Sequence, residues 1–244
     1  MTFDPFGDFA TRGYLRNLTG EKDLAIVRRL EHAAFVTGLE PAFRALGAAK
    51  MLTYDHVLST HKALFDAVYP WAGRDRLSTL PEHAVVKGAV QFAHPKDIRA
   101  AVDYALRNGQ DPAFMAEKPG EVMGYLCYGH PFLDGNGRTL MAVHALLAQR
   151  AGFSIDWSKT DKTAYLDALT KEIDAPGKGQ LDAYLASFRA PTLASGKLAD
   201  ALAGVAGLAG DAGPEENQVL GKTSDPAVKV RYEQHRLKRK QSQS

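Results

Sequence analysis

No stretch constrains this chain more than Gly129-His130-Pro131-Phe132-Leu133-Asp134-Gly135-Asn136-Gly137-Arg138, which sets an imidazole, a carboxylate, a glycine-framed turn and an arginine within ten residues. Glycines on either side of Asn136 let consecutive backbone N–H groups converge into an anion-binding nest. The apolar run from Leu140 to Leu147 behind it reads as a helix whose N-terminus faces that nest. Such a turn is a phosphate cradle: the N–H groups of Gly135, Asn136 and Gly137 bind phosphate oxygens, and the planar fork of Arg138 neutralises phosphate charge. Asp134 can hold a divalent cation together with the phosphates, and His130 can serve as a general base.

The rest of the chain reads as mainly helical. Leu24, Val27, Leu30 and Ala34 recur at helical spacing, with a stop expected at Gly38. Thr53 reads as the N-cap of a second helix carrying Val57, His61, Leu64 and Phe65, ended before Pro70. His56 and His61 lie five apart with no acidic partner in register, so they read as solvated or hydrogen-bonded surface histidines rather than metal ligands. Short β-prone runs with turn signals at Pro81–His83 and Gly88 predict a hairpin over residues 77–93. Further helices are expected over 96–107, up to His130, after Arg138 as far as Gly152, and around Leu169 and Leu185. Residues 1–20 form an irregular leader over a domain that spans 1–190. Residues 191–244 read as an Ala/Gly-rich linker and a flexible basic tail, with one weak helix near Leu198–Leu208.

A net charge of +2 gives no reason to invoke nucleic acid, and the single Cys127 excludes an internal disulfide or a multi-cysteine metal site. No signal sequence or run of about 18 apolar residues is present, so the reading is cytoplasmic synthesis without membrane insertion, compatible with later export by a dedicated secretion system.

His-Pro-Phe-x-Asp-Gly-Asn-Gly-Arg, read here through His130, Pro131, Phe132, Asp134, Gly135, Asn136, Gly137 and Arg138, resembles the active-site motif of the Fic family of protein adenylyltransferases. Pro70-Trp71-Ala72-Gly73 leading into an arginine, and Ile155-Asp156-Trp157-Ser158, are similar to further stretches of that family. The resemblance implies a Fic-type helical bundle with a β-hairpin flap beside the active-site loop. It also implies AMP transfer from ATP to a Ser, Thr or Tyr hydroxyl of a target protein, with His130 as base, Mg2+ on Asp134 and pyrophosphate released. Leu77, Ser78, Thr79, Val85, Val86, Lys87 and Gly88 would then dock the target in extended form, as sheet edges do.

Two departures from the pattern are legible. A second arginine often follows the first by three residues and orients the outer phosphates; here Met141 stands there. Many members also carry an inhibitory Ser/Thr-x-x-x-Glu-Gly/Asn motif. Ser78 to Glu82 is followed by His83, and Glu216-Asn217 has Ala212 at the relevant offset, so neither fits, which implies a separate small antitoxin protein or another form of control. Two alternatives stay open: a same-fold transferase using another nucleotide or phosphate-containing donor, and a catalytically degenerate Fic-fold interaction module.

Overall fold

The computed structural model describes residues 2–194, 196–209 and 217–242. The long helices in chain order are α1 (Leu24–Ala48), α2 (Tyr54–Phe65), α3 (Ile98–Gly109), α4 (Pro119–Gly129), α5 (Asn136–Arg150), α6 (Lys162–Asp174), α7 (Gln180–Ala186), α8 (Lys197–Ala203) and α9 (Pro226–Ser242). Strands β1 (His83–Lys87) and β2 (Val90–Gln91) form a hairpin between α2 and α3, and β3 (Asn217–Lys222) precedes α9. Helix α4 is apolar nearly all round, with Val122, Met123, Leu126 and Cys127 buried, as expected of a helix with neighbours on every side. It lies among α3, α5, α6 and α7, so its C-terminal end, which leads into His130, is fixed by the core. The mainly helical bundle with a hairpin beside the motif loop is the expected architecture. Among the described residues no helix is long and apolar enough to cross a membrane.

Four local expectations need correction. The first helix does not stop at Gly38 but runs to Ala48. Gly38 serves close approach instead, since a β-carbon there would come within 2.3 Å of the Ala63 carbonyl oxygen on α2. Leu77, Ser78 and Thr79 are not in the hairpin: the Asp75 carboxylate accepts the Ser78 N–H at 2.9 Å and caps a single helical turn, Arg76–Thr79, a local bond that outcompetes extended backbone. The hairpin itself is short, with Val86 opposite Gln91 and Lys87 opposite Val90. His61 is not a surface residue but is fully buried.

The fourth concerns the region beyond residue 190, which holds more regular structure than its composition announces. Helix α8 packs on α1, and β3 pairs antiparallel with β1, giving a three-stranded sheet of order β2-β1-β3. The basic residues of α9 are partly engaged. Arg231 Nε donates to Gln91 Oε1 at 2.9 Å, Lys238 pairs with Asp174 at 2.6 Å, and the Arg239 guanidinium sits 3.7 Å over the Tyr128 ring. Of the two near-matches to the inhibitory motif, Ala212 and Glu216 lie outside the described residues.

Candidate active site

The motif loop is built from both ends. At its start, α4 ends on His130 in the left-handed conformation (φ 41°, ψ 60°), a geometry that costs a non-glycine residue about 1–2 kcal/mol. The fully buried Arg76 holds it there. Its Nε donates to His130 O at 2.7 Å, and its Nη2 donates to Ala93 O at 2.9 Å and Gly129 O at 3.3 Å. Its main-chain N–H adds a bond to Pro131 O at 2.6 Å. One side chain thus ties the motif loop to the residue pair that follows the flap.

At the other end α5 starts at Asn136 after Gly135, whose φ of 73° and contact with Phe65 (2.5 Å from a built β-carbon) admit only glycine. No side chain caps the helix, so the first N–H groups of α5 are available to a ligand on the cavity side. The Asn136 side chain braces the loop across itself, accepting from Phe132 N at 2.8 Å and donating to Phe132 O at 2.7 Å. That orientation points its Nδ2 at His130 Nε2, 3.1 Å away, so Nε2 carries the lone pair. Below the loop, His61 Nδ1 accepts from Gly73 N at 2.9 Å, which leaves Nε2–H to donate to Asp134 O at 3.1 Å. Its ring stacks on Phe132 at 3.7 Å. Burial pushes the His61 pKa down to about 3, so it stays a neutral strut.

His130, Asp134, Gly135, Asn136, Gly137 and Arg138 line one cavity of about 470 Å³, and Lys87 at the end of β1 joins them. Val85 and Val86 are buried in the hairpin and Gly88 lies in its turn; Leu77, Ser78 and Thr79 do not reach the cavity wall. His130 stacks face to face on Phe92 at 3.6 Å. Burial, followed by the positive charges of Arg76 and Lys87, holds its pKa well below the usual histidine value, so the imidazole is neutral near pH 7. Cys127 also lines the cavity, yet burial lifts its pKa to about 12; it is no nucleophile.

Three contributors escaped the sequence reading. Tyr14 of the leader donates its hydroxyl to Asp134 Oδ2 at 3.1 Å. Glu31 of α1 is buried and accepts from Arg138 Nη2 at 2.8 Å and from Tyr69 OH at 2.6 Å. Burial, then the nearby Asp134 charge, raises the Glu31 carboxyl, while Arg138 and Tyr69 pull it back. The Arg138 fork is therefore shared between this carboxylate and the cavity. Asn217, in the stretch read as tail, reaches the cavity from β3. None of the three is adjacent to the motif in sequence; Glu31 in an α1 face of Val27 and Phe35 was the one available signal, a charge at a core position.

The Fic/DOC family model matches residues 51–148. Protein adenylyltransferase VbhT of Bartonella schoenbuchensis is 36% identical over 169 residues, 65% of this chain and 34% of that protein. Probable protein adenylyltransferase y4lH of Sinorhizobium fredii is 30% identical over 130 residues, 49% of this chain and 65% of its own length. This chain thus spans about a third of one curated relative and just under two thirds of the other. Among solved structures, the N-terminal Fic domain of a putative cell filamentation protein from Bartonella quintana, with bound ADP, superposes with a TM-score of 0.60 at 23% identity, covering 72% of this chain and 90% of that one. BepC of Bartonella tribocorum, with bound AMPPNP, gives 0.57 at 20% identity, covering 72% and 92%. These likenesses carry the helical bundle and its flap. The Fic/DOC match thus falls on the residues that build the site: within 51–148, His130 to Arg138 form one wall of the cavity.

Proposed function

We propose that the cavity binds ATP and that the chain transfers AMP to a Ser, Thr or Tyr hydroxyl of a target protein. The observation that carries this reading is the juxtaposition of a buried neutral imidazole, His130, and the uncapped N-terminus of α5 on one cavity wall. The names of VbhT and y4lH as protein adenylyltransferases support it. Nucleotide phosphates would lie against the N–H groups of Asn136 and Gly137, with Arg138 beside them, while the Gly135 N–H, expected in the same cradle, is taken by Asp134 Oδ1 at 2.6 Å. The target hydroxyl oxygen attacks the α-phosphorus, its proton passes to His130 Nε2, and the bond to the leaving pyrophosphate breaks. Asn136 holds that nitrogen in the acceptor tautomer until the hydroxyl displaces it.

A magnesium ion fits this site only as a guest shared with the phosphates. Among the described residues no group of three His, Cys, Asp or Glu side chains could hold a metal alone, and Glu31 is committed to Arg138. Asp134 is the remaining carboxylate, with one hydrogen bond on each oxygen and a lone pair left on each. One carboxylate plus phosphates is an ordinary magnesium set. When bound, the ion would neutralise charge developing on the phosphates.

The donor is tested by incubating the protein and a cell lysate with a panel of labelled nucleotides. Label on protein from ATP alone supports the reading. Label from another nucleotide replaces ATP as donor, and label from none refutes transfer. Control by a separate antitoxin protein is part of the same proposal; its expected signature is loss of label on adding that partner.

Met141 lines the cavity one helical turn beyond Arg138. Met141→Arg is therefore expected to tighten ATP by about 1–3 kcal/mol through a charge-assisted phosphate bond, with a lowered melting temperature of the free protein because the methionine is also packed in the core. Calorimetric titration and a thermal melt on the same variant check this. Unchanged affinity would show that the new side chain does not reach the phosphates.

A further inference from the structure

The edge of the flap that faces the motif loop is filled by the chain itself. β3 runs antiparallel to β1, with His83 opposite Lys222, Val85 opposite Val219 and Lys87 opposite Asn217. Thr223 N extends the pairing to Glu82 O at 2.7 Å. The strand ends at the catalytic cavity: Asn217 Nδ2 donates to Leu133 O at 3.0 Å, inside the motif. Asn217 Oδ1 is buried without a hydrogen-bond partner, and the side chain lines the same cavity as His130. Nothing else about β3 looks like permanent core. Gln218 and Lys222 are exposed and Val219 is 37% exposed. Main-chain pairing and one amide hold it, and these are the terms by which any extended peptide binds a sheet edge.

Resting on the adenylyl-transfer reading, we propose that residues 217–222 are an internal stand-in for the target: an exchangeable strand on the docking edge of the flap, with Asn217 occupying the place of the hydroxyl-bearing residue. An amide nitrogen is no nucleophile at neutral pH, so the strand fills the site without being consumed. The partner that fits is an extended polypeptide segment with Ser, Thr or Tyr in register with Asn217. Such a segment competes with an occupant tethered by α9, whose effective concentration is on the order of mM. Exposure of this edge is thereby a point of control within the chain.

Two arms test this on the full chain. In the first, a fluorescent peptide with the sequence of residues 217–225 is titrated into the parent and into Gln218→Pro/Val219→Pro. Adjacent residues of a strand point their N–H groups to opposite edges, so one of the two prolines removes a bond to β1. The variant is expected to bind at least about tenfold more tightly than the parent; equal binding, or none to either, overturns the proposal. In the second arm, Asn217→Ser leaves the strand backbone intact and supplies a hydroxyl. Its oxygen attacks the α-phosphorus of ATP, its proton goes to His130 and pyrophosphate leaves, so one AMP appears on that residue by mass mapping. Label on other residues of the chain but not at 217 overturns the placement of Asn217. Absence of label on any protein, with peptide binding still set by the prolines, refutes the adenylyl-transfer reading and leaves the occupied edge standing.

Discussion

Replacing His130 with alanine is expected to lower label transfer from ATP at least about 100-fold, while nucleotide affinity changes by less than about twofold. On the proposed reading there is a division of labour within the cavity: main-chain N–H groups would hold the phosphates, and the imidazole would act only as the hydroxyl loses its proton. The pH profile of the parent follows from the same geometry. Burial, then Arg76 and Lys87, keeps the His130 pKa well below 6.5, so the base is already unprotonated at pH 6.5 and transfer is expected to stay level from there to pH 8. It should fall only as acid finally protonates the ring. Transfer in His130→Ala equal to the parent, or a parental rate that halves near pH 6.5, would remove His130 as the base in this environment.

A second large effect is expected from Arg76→Met. The substitution keeps length and apolar volume but strips the partners from His130 O, Ala93 O and Gly129 O. A buried acceptor left unpaired costs about 1–3 kcal/mol, offset in part because no buried charge need be desolvated. The net loss is roughly 3–5 kcal/mol, a large share of the roughly 5–15 kcal/mol that stabilises a typical domain. Urea unfolding of the two proteins checks it. A difference below about 1 kcal/mol would mean that water or the main chain takes over those carbonyls. Arg76→Lys keeps the charge without the fork, so it should fall between the two.

What could be read in the sequence is what short-range chemistry dictates. The motif loop and the helix behind it were legible because Gly135, Asn136 and Gly137 are adjacent and their job is local. The helices with strong apolar periods, such as α3 with Ile98, Ala101, Val102 and Ala105, were legible for the same reason. Gly38 was misread because a glycine that permits a close helix crossing and one that ends a helix look alike in sequence. Glu31 and Tyr14 reach the site across separations of 107 and 120 residues; only Glu31 carries a local mark, a charge on the buried face of α1, and nothing local marks Tyr14. β3 had the weakest signal of all: a short polar strand takes its structure from the edge it completes, and that edge lies about 130 residues earlier.

Every acceptor of the Arg76 guanidinium is a main-chain carbonyl. The clamp therefore reads the path of the backbone and is blind to the side chains along it. Residues of the flap could be exchanged to suit a different target, and the motif loop would still be delivered at the same angle, provided this one arginine stayed. On the proposed reading, recognition and chemistry are in that sense separately editable: the strand that would dock the target can drift while the histidine keeps its aim.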